Sequence, residues 1–245
     1  MCNQPMRQRL SLQGEPSAQQ AREDLRRWRV NLVIPAVHVW LIWLVWLVGV
    51  FLGDKFYWLG VYPRTFRGLL GILLMPLLHA DVEHALTNSV PLLVLGTLLF
   101  HFYPRRGYRV YLLGWLLTGL GVWCFARPSY HVGASGLVYA LAFYMFFSGL
   151  LHRDRVLVAI SLLVVFLYGS LLWGMLAVDP AISWEGHLCG AVVGVLLSLI
   201  DRLGESEPPH AYGHGQEGMF DFRAQDHTGP PSWRIRFYVW ALGCA

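Results

Sequence analysis

Ser135 sits in Gly133-Ala134-Ser135-Gly136 at the mouth of one apolar run, and His187 opens another further along the chain. A hydroxyl and an imidazole are costly in lipid unless they have partners or a task. One serine and one histidine are the minimum parts of a nucleophile–base pair, in which the imidazole takes the hydroxyl proton as the oxygen attacks.

Their surroundings fit that chemistry. Gly133 and Gly136 leave space around Ser135, and Tyr139 falls one helical turn below it on the same face. His187, Gly190 and Gly194 recur at spacings of three and four, so they share a helix face whose two glycines allow close backbone approach. If that face meets the Gly136–Ala140 side of the other helix, His187 comes level with Ser135. His84 and Asn88 are a third pair, four residues apart at the head of another apolar run. An imidazole and a carboxamide can donate to the oxyanion that develops when a peptide bond is attacked.

Each signal has a plainer reading. Gly and Ser let membrane helices pack closely, a histidine can simply mark a helix end, and His84 and Asn88 can bond to nearby backbone. The serine motif is not the GxSxG elbow of soluble hydrolases, because Leu137 stands at the second glycine position. His79, His84, His131 and His187 form no HExxH, and the acids near them are Asp81, Glu83 and Glu185. Neither metal nor cofactor is expected. Cys2, Cys124, Cys189 and Cys244 show no CxxC spacing and read as small hydrophobes and terminal thiols.

Positioning such residues is a task for membrane helices. Of 245 residues, 56% are hydrophobic and 14% charged, against about a quarter charged in soluble domains. A helix needs about 20 apolar residues to cross the hydrocarbon. Charge-free stretches predict spans near 31–52, 84–101, 109–126, 134–151, 156–177 and 185–201. The first is too long for a signal-peptide core and lacks a cleavage site, so it is expected to remain as an anchor. The fold class is therefore all-α, a polytopic membrane protein.

Of the 19 basic residues, all but Lys55, Arg64, Arg67 and Arg127 fall on one side of this topology. Cytoplasmic flanks carry the excess of Lys and Arg, so both termini are expected in the cytoplasm. No basic run reads as a nucleic-acid patch. Between the first two spans, Gly53–Glu83 holds an apolar stretch broken by Gly71 and Pro76. It is read as an interfacial or partly re-entrant element on the outer side. Residues 1–28 and 203–232 are rich in Gln, Gly, Pro, Ser and charge and are expected to be irregular. The aromatic and basic Trp233–Ala245 stretch is read as lying on the membrane surface.

Together, His79-x4-His84-x3-Asn88, Gly133-x-Ser135-Gly136-x-x-Tyr139 and His187-x-x-Gly190-x-x-x-Gly194 resemble the rhomboid family of intramembrane serine proteases. The resemblance covers residues 30–201. It implies a compact six-helix bundle with a large outer loop between helices 1 and 2, flanked by cytoplasmic tails at 1–29 and 202–245. It implies Ser135 as nucleophile and His187 as general base, with Tyr139 packed on the His187 ring. Gly190 and Gly194 would hold the sixth helix to the fourth, and His84, Asn88 and the Ser135 N–H would form the oxyanion hole. Phe66-Arg67 is similar to an aromatic–Arg pair of the family's loop, about one helical turn further from His79 than the family pattern. Partners would be transmembrane protein substrates and membrane lipid, in a bacterial plasma membrane.

Two other function classes are distinguishable. A small transporter predicts charges deep in several spans and inverted repeats, whereas the polar residues here gather near one side. A catalytically inactive rhomboid-like binder predicts loss of the serine or the histidine, and both are present.

Overall fold

The computed structural model describes residues 18–53, 56–151, 158, 159, 162 and 183–204. Among them the regular structure is helical: α1 (Ala18–Leu52), α2 (Phe66–Leu74), α3 (Val82–Phe102), α4 (Gly107–Phe125), α5 (Ser135–Leu151) and α6 (Trp184–Leu203). The Arg22–Leu52 part of α1, together with α3, α4 and α6, is long and apolar enough to cross a membrane, while α5 is shorter. The expected span at 156–177 lies almost wholly outside the described residues, as do the Trp233–Ala245 stretch and all of the C-terminal tail after Gly204.

The expectation of an irregular N-terminal tail over 1–28 fails for its described part. Residues 18–28 are not an irregular tail but the first turns of α1, which runs 35 residues without a break. Ala18–Arg29 contains neither Gly nor Pro, and Gln19 Nε2 donates to Glu23 Oε1 one turn on at 3.4 Å. Helix-forming composition and such i,i+4 pairs carry the helix beyond the apolar stretch.

α5 and α6 run parallel and form the most extensive helix pair, with α4 antiparallel to α6 beside them and α1 packed on α3. Glycines set these distances. A Cβ on Gly190 would lie 2.0 Å from the Gly136 carbonyl oxygen, and one on Gly194 2.3 Å from that of Ala140. Gly96 of α3 likewise receives the Pro35 ring of α1. Leu92, Leu95, Leu99, Leu137, Leu141 and Met145 are fully enclosed between the helices. On the far side of α6, Leu188, Val192, Leu196 and Leu199 are exposed. An apolar face turned outward on a helix of this length calls for lipid rather than water.

The connection between α1 and α3 is folded. Thr65 caps α2, accepting from the Gly68 N–H at 3.1 Å, and Pro76 sits in a 3-10 turn, Met75–Leu77, that follows. Gly71 does not break the run as expected. It lies inside α2, where a Cβ would meet the Gly60 carbonyl oxygen at 2.3 Å, so the glycine serves close packing. Trp123 and Trp115 of α4 donate to the carbonyls of Thr65 (2.8 Å) and Ile72 (3.2 Å). Arg64, at φ 56°, donates to the carbonyls of Cys124 and Ala126 at the end of α4. These bonds satisfy orphan helix-end acceptors and seat the connection against α4.

Candidate active site

The site forms where the first turns of α5 and α6 meet the head of α3. Gly133 has φ +115°, a conformation open essentially to glycine alone. A Cβ there would lie 2.7 Å from His84 Nε2 and 3.8 Å from Ser135 Oγ, so imidazole and hydroxyl flank one small space that the missing side chain keeps open. His79 Nε2 accepts from the Ala134 N–H at 3.3 Å, which fixes the turn into α5. Burial, reinforced by the neighbouring His84, pushes the pKa of His79 down to about 3, so this acceptor nitrogen stays unprotonated.

His187 Nε2 and Ser135 Oγ are 2.8 Å apart. Both residues are half-buried. The Tyr139 ring stacks on the His187 imidazole, centroids 4.4 Å apart and planes within 9°. Stacking limits rotation of the ring, and the close Gly136–Gly190 and Ala140–Gly194 contacts set its height. The pair has the reach and geometry for proton transfer from oxygen to nitrogen.

His84 and Asn88 both bond to backbone, yet with different consequences. Asp81 caps α3 by accepting from the His84 N–H at 2.7 Å. The Ala80 N–H donates to His84 Nδ1 at 3.4 Å, so a neutral His84 carries its proton on Nε2, the nitrogen facing the Gly133 space. Asn88 Nδ2 donates to its own helix at the His84 carbonyl, 2.8 Å, and an oxyanion contact would use the second amide hydrogen. Phe66 is exposed, and Arg67 lies over the Trp58 ring at 4.9 Å on the α1–α3 connection. Of the four histidines considered for metal, His79 and His84 touch each other, while His131 and His187 bond to separate serines.

Four residues beside the site are tied together in ways their sequence positions did not suggest. His131 Nδ1 and Ser183 Oγ are 2.6 Å apart, and Arg127 pairs with the buried Glu185 at 3.4 Å. The separation of 52 residues is common to His131–Ser183 and Ser135–His187. That shared offset was the one signal available, and it has meaning only once the two segments are known to run parallel.

A rhomboid domain matches residues 67–203. An uncharacterized protein of Mycobacterium tuberculosis is 35% identical over 183 residues, covering 71% of this chain and 76% of its own. An uncharacterized protein of Mycobacterium leprae is 35% identical over 142 residues, 54% of this chain and 56% of its own. The chain belongs to the rhomboid family, in general intramembrane proteases acting on transmembrane substrates, and it is an integral membrane protein.

Proposed function

We propose that this chain is a serine endopeptidase that cuts transmembrane segments near the outer membrane face, with Ser135 as nucleophile and His187 as general base. The 2.8 Å contact between His187 Nε2 and Ser135 Oγ carries this reading. Ser135 Oγ attacks the scissile carbonyl carbon while its proton passes to His187 Nε2. As the C–N bond breaks, His187 returns that proton to the leaving amine, and an acyl-enzyme remains. Water then attacks the ester, His187 takes one of its protons, and Ser135 recovers that proton as the new carboxylic acid leaves. His84 Nε2–H, the second Asn88 N–H and the Ser135 N–H serve as oxyanion donors. Loss of one such donor costs about 10²–10³ in rate.

The rest of the architecture follows as part of the proposal. Because α5 and α6 run parallel, the chain between them has to return the length of α5, about 25 Å at 1.5 Å per residue. This supports a fifth crossing over 156–177 and a compact bundle of six. Residues 30–201 then form the membrane domain, 1–29 and 202–245 the two cytoplasmic tails, and 53–83 a large outer loop. The basic residues of α1's start and of the α3–α4 connection support this orientation in a bacterial plasma membrane. Substrates are helices that unravel near the outer face, since an intact helix hides its scissile carbonyl in its own hydrogen bonds.

The test is labelling of the purified protein by a fluorophosphonate, with cleavage of a single-pass substrate in liposomes. Both are expected in the native chain and neither in Ser135→Ala. Labelling that persists in Ser135→Ala would remove the assignment.

A further inference from the structure

The segments that carry Ser135 and His187 are joined by a second serine–histidine bond with the residue types exchanged. His131 precedes Ser135 by four residues, as Ser183 precedes His187. The segment before α5 and the first turn of α6 are thus joined by two serine–histidine bonds. His131 Nε2 lies 3.1 Å from the Arg127 carbonyl, which can only accept, so that nitrogen carries the ring proton. His131 Nδ1 is then the acceptor, and the Ser183 hydroxyl donates to it at 2.6 Å. Burial holds the His131 pKa below its ordinary value, which keeps this neutral tautomer in place.

Both partners are held firmly. His131 is 2% exposed, and its backbone pairs both ways with Val61, at 2.8 and 3.0 Å. Ser183 occupies the N-cap of α6 but makes no side-chain cap. Its carbonyl closes the first turn, accepting from Gly186 at 3.1 Å and His187 at 3.4 Å. A serine at this position ordinarily accepts from the helix amides, whereas here the hydroxyl is spent on another segment. Glu185 adds a second tie, its Oε1 lying 3.4 Å from both Arg127 Nε and the Arg127 backbone N. The His131 ring is enclosed and saturated at both nitrogens, so the pair acts as a latch rather than as a second nucleophile.

We propose that Ser183 and His131 are positioning residues: their bond sets the height and rotation of the first turn of α6, and thereby aims the His187 ring at Ser135. The proposal rests on the Ser135–His187 reading of the site. A misplacement of about 1 Å costs up to about 10²-fold in rate.

The test uses the purified full chain in liposomes, measuring kcat, KM and the rate of fluorophosphonate labelling. Ser183→Ala, which removes a single oxygen, is expected to lower kcat and the labelling rate about ten- to a hundredfold, with KM little changed. Ser183→Thr keeps the hydroxyl and restores most of the rate. His131→Asn, which retains a side-chain acceptor, keeps more activity than His131→Ala. Native kcat in Ser183→Ala overturns the latch, and so does an equal loss in the Ala and Thr variants. A native chain that is not labelled at Ser135 refutes the catalytic reading instead, so the two failures are distinct.

Discussion

α6 is tied to its neighbours at both ends, through different sets of side chains. At its N-terminal end the ties from Ser183 and His187 join hydroxyls to imidazoles, beside the ion pair of Glu185 with Arg127. At its C-terminal end, buried Asp201 accepts from the Tyr144 hydroxyl at 2.7 Å and pairs with Arg109 at the start of α4. A neutral hydrogen bond is worth about 1 kcal/mol net, and the proposed mechanism breaks and remakes that of Ser135 with His187 in each turnover. Charge-assisted bonds are roughly twice as strong. On the proposed mechanism the Ser135–His187 bond exchanges a proton, while the Asp201 ties stay put.

The contrast breaks most sharply under substitution of the dyad. His187→Ala is expected to lower cleavage by about 10⁴-fold or more, with the thermal unfolding midpoint near that of the native chain. Substantial cleavage by purified His187→Ala would mean that this end of α6 holds structure and not chemistry.

Between the ends, Gly190→Leu should damage both properties. Its Cβ would start 2.0 Å from a backbone oxygen, and backbone cannot yield as a flexible side chain can. Cleavage should fall about 10²-fold and stability by about 1–3 kcal/mol, read by activity and denaturation of the same preparation. Unchanged activity would show that the α5–α6 contact does not set the Ser135–His187 distance.

Asp201→Asn tests the fixed end. Stability should drop by about 1–3 kcal/mol, while kcat per folded molecule stays close to native. A large fall in kcat without loss of stability would erase the distinction between the ends.

The smallest effect is with pH. His79 has a folded pKa of about 3 against an ordinary value of 6.5, so between these values the unfolded chain binds a proton that the folded chain does not. Its contribution is fully present above 6.5 and is lost as pH falls towards 3, by at most about 1.4 kcal/mol per pH unit. Denaturation midpoints across this range should be less pH-dependent in His79→Gln. Because His79 holds the Ala134 N–H, acid sensitivity belongs to the same end of the bundle as the dyad.

Much of this was legible in the chain itself. Charge-free runs marked α1, α3, α4, α5 and α6, because lipid admits few charges and a helix must satisfy its own backbone. The i,i+3 and i,i+4 recurrences put His187 with Gly190 and Gly194, and Ser135 with Tyr139, because 3.6 residues make a turn. Charge density misled at residues 18–28, where arginines and acids suggested an irregular tail, but helix propensity and i,i+4 pairing continue α1 outward. Gly71 misled as well, since glycine both breaks helices and lets them touch, and only its neighbour reveals which.

What tertiary structure alone decided is which faces meet. Residues 52 apart in sequence come within hydrogen-bonding reach because α5 and α6 run parallel with glycines between them. No local periodicity encodes that register. The same holds for the protons: the tautomers of His84 and His131 follow from an amide at Ala80 and a carbonyl at Arg127, partners that only folding supplies. Residue type and spacing state which chemistry is available. Packing decides which nitrogen faces which oxygen.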